Sequence, residues 1–582
     1  MSTRKTSKSQ AVIGLVLVVG ILILLNFVSK FIYTRFDLTE DKRFSLTDNT
    51  KKMLAGVDQT IYIEVMLEGD FPSLFQRLRN SSEELLKQFH GINARIEYRF
   101  VNPLAGKPED VRARQNDLKA NRIYPINLNV AQSGERKEQL VYPYAKVVYG
   151  TRQAVVINLL ENKIAGSGQE EIVNNSINLL EYKFANAIQK ALLGKKPIIA
   201  FSLGHGEIDS LRISMFKQHL QPFYNVADIV ISARPSINYF SKEDTLIVDL
   251  LVVAKPTRPF SEQDKFKIDQ YVMQGGKILW LLDGTSAEMD SLRGGAKQQV
   301  PSDRNLNLDD LLFKYGARVN TNLVLDAQCT RIPIVVGAMG NQAQTELMKW
   351  IYYPIAFTAE AKHPIVKSID GVDMRFASTV DTISTSSNIL KTPLLSSSRY
   401  SRIQKTPMRI SMDILQVPIV PEKFNLPNQT MAVLLEGKFP SLFKNRISAA
   451  MDSMLRQQLN MTFIPESKPT RMIVVGDGDV AKTDLDLSKP ESPKAMPLGY
   501  NQYERYTFGN KDFLLNCVEY LLDENGIIAS RGREFKLRLL DRVKTTEEKS
   551  FWQGINIALP LVVLFLFGLI YNYLRKKKYG SK

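Results

Sequence analysis

The chain has 582 residues and a mass of 66.0 kDa, with 44% hydrophobic and 23% charged residues. That is the composition of ordinary folded domains, two or three of them at this length, and it excludes a mostly disordered, collagen-like or polytopic membrane chain. The 76 Lys and Arg against 60 Asp and Glu give a net charge of +16, but half of the excess sits in two acid-free tails, Arg4, Lys5 and Lys8 at one end and Arg575, Lys576, Lys577, Lys578 and Lys582 at the other, so the charge gives no argument for a nucleic-acid partner.

After the basic tail of residues 1–10, Ala11–Val28 carries no charge. Extended to Ile32, this run makes a helix of about 33 Å, long enough to cross a bilayer. It is too long for a cleaved signal and no small-x-small site comes after it, so residues 11–32 read as an uncleaved signal anchor. Trp552–Leu574 is again uncharged, with Trp552 at one edge and Tyr571 and Tyr573 at the other, as an interfacial aromatic belt requires; residues 551–574 are the expected second span and 575–582 the second basic tail. Two spans place both tails on one side. Flanking Lys and Arg tie, eight in the tails against Lys30, Arg35, Lys42, Arg43, Arg538, Arg542, Lys544 and Lys549. The length of the intervening chain and the Arg575–Lys578 run decide for cytoplasmic tails and a large domain outside the inner membrane, periplasmic where the cell has a periplasm.

Between the spans the expected fold class is α/β, with two or more α/β units. Over residues 33–165, strand Thr60–Leu67, helix Ser73–Phe89 and strand Ala94–Val101 make a β-α-β unit, its helix started by a Ser73/Gln76 capping box and stopped by Gly91. Strand-like runs at Ile126–Ala131, Leu140–Val148 and Gln153–Leu159 complete a small, thioredoxin-like layout without a CxxC, hence without redox chemistry. Gly166–Gly168 reads as a hinge within a linker of residues 166–194, whose helix runs from Gln169 to Leu193. A parallel-sheet region spans 195–550. It has strands Pro197–Ser202 and Leu250–Ala254, a helix Glu262–Gln274 capped by Ser261 and closed by Gly275 and Gly276, and strand Lys277–Leu282, an arrangement that implies a right-handed crossover. Strand Arg471–Val475 and helix Asp512–Leu522 come after a mixed insertion around 300–470, read as short strands. Leu67–Phe75 (LEGDFPSLF) and Leu435–Phe443 (LEGKFPSLF) agree at eight of nine positions, each after an alternating apolar run, which predicts strand, Gly turn and helix start twice over; a duplicated folding unit and a pair of docking edges are both open readings.

The chemistry-bearing motifs are sparse. No GxxxxGK[ST] occurs, so the chain is not itself a Walker ATPase. Gly476–Ala481 (GDGDVA) comes after a strand as GxGxxA does, but KTDLDLSKPESP cannot form the helix that a dinucleotide site needs, and Ala481 breaks a calcium loop. His90, His205, His219 and His363 show no metal spacing, and no cofactor or metal is expected. Cys329 and Cys517 exclude a disulfide framework and any CxxC metal or redox site, leaving one bridge between them open. No nucleophile elbow of the GxSxG kind occurs. The best polar cluster is Gly204-His205-Gly206-Glu207 directly after a strand, where ligands favour strand ends and glycines admit close approach; it reads either as a ligand or partner contact or as a tight turn with internal hydrogen bonds. Asp283 and Asp477 stand at further strand ends. Gly554 and Ala558 form a small-xxx-small pair on the second span, suited to helix packing.

FSLGHGE at Phe201–Glu207, YVMQGGKILWLLDG at Tyr271–Gly284, HPIV at His363–Val366, VLLEGKFPSLFKNR at Val433–Arg446 and FGNKDFLLNCVEYLLDE at Phe508–Glu524 together resemble the gliding-motility-associated auxiliary subunit of an ABC transporter, the GldG type, over essentially the whole chain. The resemblance implies a separate ATPase and permease as partners, a role in bacterial gliding, and soluble folds related to glutamine-amidotransferase-like and intraflagellar-transport-like domains. Amidotransferases carry a nucleophilic Cys at the strand-end elbow and this chain has none there, so the implied subunit is non-catalytic. The rival expectations are a module that binds a solute or glycan, marked by a deep pocket between the two α/β domains, and an extracytoplasmic hydrolase with paired carboxylates from Glu207, Asp283 or Asp477.

Overall fold

The computed structural model describes residues 3–29, 45–121, 123–132, 135–161, 168–240, 245–293, 298–339, 342–359, 363–385, 387–448, 452–453, 455–457, 462–532 and 547–579. The chain divides into two units, residues 45–533 forming one and the two terminal segments the other. In the terminal unit, helix α1 (Thr3–Ser29) includes the apolar stretch Ile13–Leu24, shorter than a span.

In the folded unit, α2 (Asp48–Ala55) is capped by Thr47, whose side chain accepts from the Thr50 amide. Strand β1 (Ile61–Val65), α3 (Ser73–Ile92) and β2 (Ile96–Phe100) form the expected β-α-β unit, β1 and β2 being parallel. The capping details differ from expectation. Ser73 is the first helical residue and Pro72 the cap, without a side-chain bond. Gly91 stays within the helix, which stops at Asn93, because the Asn93 side chain is tied to the Leu54 and Val57 carbonyls at 2.9 Å each. After α4 (Pro108–Ala120), β3 (Ile126–Gln132) and β4 (Glu135–Val141) make a separate hairpin, whereas β5 (Tyr144–Tyr149) and β6 (Val155–Asn158) join the first sheet in the order β2-β1-β5-β6. The single strand expected over Leu140–Val148 is thus broken at Pro143, which has no N–H for a ladder.

Of the proposed hinge, Gly166 and Ser167 lie outside the described residues. The helix expected over 169–193 is two, α5 (Gln169–Asn178) and α6 (Leu180–Leu192). Val173, Leu180, Phe184 and Ile188 pack into one core with Ile61, Ile63, Val65, Leu78 and Phe89, so the segment packs beside α3 on the first sheet and is no free linker.

The large sheet has nine strands in its main order and a tenth, Val372–Asp373, paired beside it with Gln342–Thr358. Its parallel part comprises β7 (Ile198–Leu203), β8 (Asn225–Val230), β9 (Leu250–Ala254) and β10 (Lys277–Leu281), with α7 (Ser214–Leu220) between β7 and β8 and α8 (Glu262–Met273) between β9 and β10. The Ser261 side chain caps α8 by accepting from the Asp264 amide. After α9 (Asp309–Tyr315), the insertion holds two long strands where short ones were expected, β11 (Cys329–Met339) and β12 (Gln342–Thr358), then β13 (Leu390–Ser396) and β14 (Thr430–Gly437). Strand β15 (Thr470–Val475) and α10 (Asn510–Leu522) close the region. From edge to edge the sheet runs β11-β12-β13-β14-β15-β10-β9-β7-β8, the last five parallel. Taken in chain order those five strands stand as 2-1-3-4-5, a doubly wound order with its switch point between β7 and β9. Alternation splits the core: Phe201, Val252, Leu279 and Ile473 meet Phe216 of α7 and Phe513 of α10 on one face, while Ala200, Val253, Trp280 and Val474 meet Ile268 of α8 and Leu311 of α9 on the other.

The two LEG-FPSLF segments share a strand end and a left-handed glycine, φ +143° at Gly69 and +147° at Gly437, but only the first enters a helix. Residues 442–446 are turns, because Asp269 draws in the Ser441 hydroxyl at 2.6 Å and the Leu442 amide at 2.9 Å. The final helix α11 (Lys549–Tyr579) carries Pro560 within it.

Candidate functional site

Strands β9, β10 and β15 end side by side, and each leads directly into charged residues. Lys255 comes immediately after β9 in the left-handed region, φ +52°, a costly conformation for a non-glycine residue. Asp283 stands two residues beyond β10; Asp477 and Asp479 lie just past β15. All four are buried. Lys255 Nζ lies 3.1 Å from Asp283 Oδ2 and 3.2 Å from Glu288 Oε1, and donates to Asp479 Oδ2. Arg304 completes the ring, 2.8 Å from Glu288. Gly478 is what permits this approach, since a Cβ there would stand 2.5 Å from the Lys255 Cβ.

The acids do not behave alike. Burial raises Asp477, and its neighbours Asp479 and Asp283 raise it further, so it is held as a neutral acid well above the usual carboxylate range. It is fixed by accepting from the Arg375 and Asp479 amides, both at 2.7 Å. Burial opposes charge on Asp479 as well, but Lys255 and Lys482 outweigh it and hold that carboxyl below its ordinary value. Lys255 itself is desolvated, yet Asp283, Asp479 and Glu288 keep its ammonium charged. The carboxylate oxygens of Asp283, Asp477 and Asp479 lie within 4.8 Å of one another, a spacing that could hold a metal ion, but Lys255 already supplies a cation between Asp283 and Asp479.

Arg375 extends the network outward. Its two terminal nitrogens reach the two Asp484 oxygens at 2.7 and 2.8 Å, the fork geometry that makes such pairs strong. Beyond it opens a cleft of about 210 Å³ whose lining includes Arg212, Thr330, Arg331, Tyr353, Lys482 and Tyr503. The loop after β7 reaches this cleft through Arg212, whose carbonyl accepts from the Thr483 amide at 2.9 Å.

The Gly204–Glu207 turn is separate from the ion network; among the described residues no hydrogen bond or ion pair joins the two. His205 is buried, stacked on Phe260 with ring centroids 3.7 Å apart, its Nε2 3.4 Å from Asp264. Its amide donates to Glu207 Oε2 at 2.8 Å, and its carbonyl accepts from the Thr257 and Arg258 amides. Gly206, at φ +73°, leaves the space Thr257 fills, since a Cβ there would lie 2.1 Å from the threonine hydroxyl. The switch-point crevice is therefore plugged by the chain itself. Of the sequence-predicted residues, the structure brings Asp283 and Asp477 together and leaves Gly204, His205, Gly206 and Glu207 in a turn held by its own backbone bonds, with His205 Nδ1 3.5 Å from Glu207 Oε1. Sequence reading missed Lys255, Asp479, Glu288, Arg304, Arg375 and Asp484, although Lys255 directly ends an apolar strand and Asp479 sits two residues from Asp477. Cys329 and Cys517 are both buried and unpaired, so the bridge left open by the sequence is not formed. Gly554 and Ala558 lie one turn apart on α11, with open space at Gly554.

Residues 196–517 match the family described as ABC-type uncharacterized transport system. The chain belongs to this family. The protein is thus an auxiliary component of an ABC-type transport system, whose membership implies an ATPase and a permease as partners in general. Residues 40–148 match a second family, described only as a domain of unknown function. The transport auxiliary is 20% identical over 580 residues to an uncharacterized protein of Borreliella burgdorferi, covering 98% of this chain and 99% of that one. Among solved structures it is similar to the mmIFT52 N-terminal domain at 12% identity and a TM-score of 0.29, over 56% of this chain and 96% of that one. Among the described residues one helix, Lys549–Lys578, is long and apolar enough to cross a membrane, so of the two expected spans the second has a helix of sufficient length.

Proposed function

We propose that this auxiliary subunit is anchored at both ends, holds residues 45–533 outside the cytoplasmic membrane, and acts without catalysis beside a separately encoded ATPase and permease. The observation that carries the double anchor is where the folded unit begins and ends. Asn49 donates to the Gly526 carbonyl at 3.1 Å, and Ile527 and Ile528 pack on Tyr182 and Ala185 of α6, so the two chain ends leave the unit side by side, as two tethers to one membrane require. The uncharged run Ala11–Val28 and the basic, acid-free tails support cytoplasmic termini. A cytoplasm-only reporter fused after Lys582 is expected to be active and one fused near Gly150 inactive; the opposite pattern overturns the topology.

A non-catalytic role is supported by the partners of the candidate acids: Asp283 pairs with Lys255, Asp477 accepts from the Arg375 and Asp479 amides, and Glu207 accepts from the His205 amide. The strand order β2-β1-β5-β6 supports a thioredoxin-like first unit and the 2-1-3-4-5 order an amidotransferase-like second one. Assignment to the GldG type and to gliding rests on the motifs from Phe201 to Glu524, and a motility-proficient host lacking the gene tests it. A solute pocket between the two α/β sheets is disfavoured, since the cavity at their junction, lined by Tyr182, Lys190, Tyr224 and Glu519, holds about 30 Å³, one water's worth.

A further inference from the structure

The cleft beyond Arg375 lies past the carboxyl ends of the parallel strands, and its charges are unevenly committed. Four acids line it. Asp479 is held by Lys255 and Lys482, Glu288 by Lys255 and Arg304, and Asp484 by the Arg375 fork, which leaves Asp290 at the rim. Against that one acid stand two guanidinium groups with only distant partners. Arg212 Nε is 3.6 Å from Asp209, and Arg331 Nε is 3.9 Å from Glu504; among the described residues neither side chain makes a hydrogen bond.

One more observation points into the same space. Phe376, in the wall beside Arg375, is held at φ +52°, a conformation aromatic residues rarely adopt and one found where the surroundings enforce a site's shape.

We propose that this cleft binds a small solute through an oxyanion, a carboxylate or a phosphate, held between Arg212 and Arg331. Guanidinium suits this role because its planar donors match the oxygens of either group. Arg375, already forked on Asp484, is a positioning residue. The inference is independent of the anchoring and topology argued above, because it concerns side chains of the folded unit alone.

The experiment is calorimetric titration of the full-length protein in nanodiscs at low salt with two probes, citrate and inorganic phosphate, with chloride as the control. At least one probe is expected to saturate below about 1 mM. Saturation by citrate alone assigns the carboxylate class, by phosphate alone the phosphate class, and by both the oxyanion in general. Arg212→Gln and Arg331→Gln are each expected to weaken binding at least about tenfold, that is about 1.4 kcal/mol, with the melting temperature of the free protein unchanged. Because Arg212 sits in a turn and Arg331 on strand β11, one variant serves if the other fails to fold. Failure of both probes to saturate, or affinities unchanged in both variants, overturns the proposal.

Discussion

Replacing Lys255 with methionine keeps most of the length of the side chain and removes its charge. The ammonium interacts with three carboxylates, Asp479, Asp283 at 3.1 Å and Glu288 at 3.2 Å. At such distances each attraction is gross about 5 kcal/mol with an effective dielectric near 20, and the desolvation of a buried ammonium offsets several kcal/mol of the total. Breaking a buried pair by removing one partner costs about 3–5 kcal/mol, because the other charges stay behind uncompensated. Over the roughly 490 residues of the folded unit the entropy of unfolding is about 1 kcal/mol per degree, so a cooperative transition should fall by about 3–5 °C. The pH dependence has a definite sign. Asp479 titrates in the folded protein below its unfolded value of 3.8, so its stabilisation is complete above that value and is lost as pH falls through the folded range. Without Lys255 the carboxylates protonate more readily, and the deficit of the variant should narrow as pH drops below about 5. Thermal melts from pH 8 to pH 4 read both effects. Adding Asp479→Asn to Lys255→Met should cost less than the sum of the single changes. A variant melting within a degree of wild type at pH 7, or a deficit that widens on acidification, would refute the reasoning.

Two further outcomes are expected from the geometry. His205→Ala with Glu207→Ala removes hydrogen bonds within a buried turn, and should lower stability by about 1–3 kcal/mol and cellular abundance with it, while recovery of partner subunits per folded molecule is unchanged; lost recovery at normal abundance would make the turn a contact site again. Burial pushes the Cys517 thiol up and the Cys329 thiol up to about 12, so iodoacetamide at pH 8 should label neither until the protein is denatured, and the molecule should migrate identically with and without reductant. Rapid labelling of the native protein contradicts the packing.

Periodicity and local chemistry made part of the fold legible in the sequence. Alternation in Ile61–Val65 and the unbroken apolar run Leu250–Ala254 marked a half-covered and a fully covered strand, and the Ser261 cap was legible because it needs only residues three positions apart. The misread stops have one cause: Gly91 and the 169–193 helix are governed by contacts from afar, Asn93 reaching Leu54, and Val173 and Phe184 reaching Ile63 and Phe89. Local spacing carries no trace of those.

The candidate site shows the same division more sharply. Asp283 and Asp477 were legible as strand-end acids, but their meaning depends on order in the sheet, and nothing in the sequence makes β15 the neighbour of β10 when nearly two hundred residues of insertion lie between Asp283 and Asp477. Once that pairing places the two ends together, Lys255 is drawn between Asp283 and Asp479, Gly478 must lack a side chain, and Asp477 is pushed toward its neutral form. The insertion that separates the acids also supplies Arg375, Thr330 and Arg331, the floor and one wall of the cleft. A Gly478→Ala change is the economical test of this view, since its Cβ would stand 2.5 Å from the Lys255 Cβ: it should reproduce much of the Lys255→Met deficit by displacing the lysine, without altering any charge. If it melts as wild type does, the strand-end network is looser than its geometry implies.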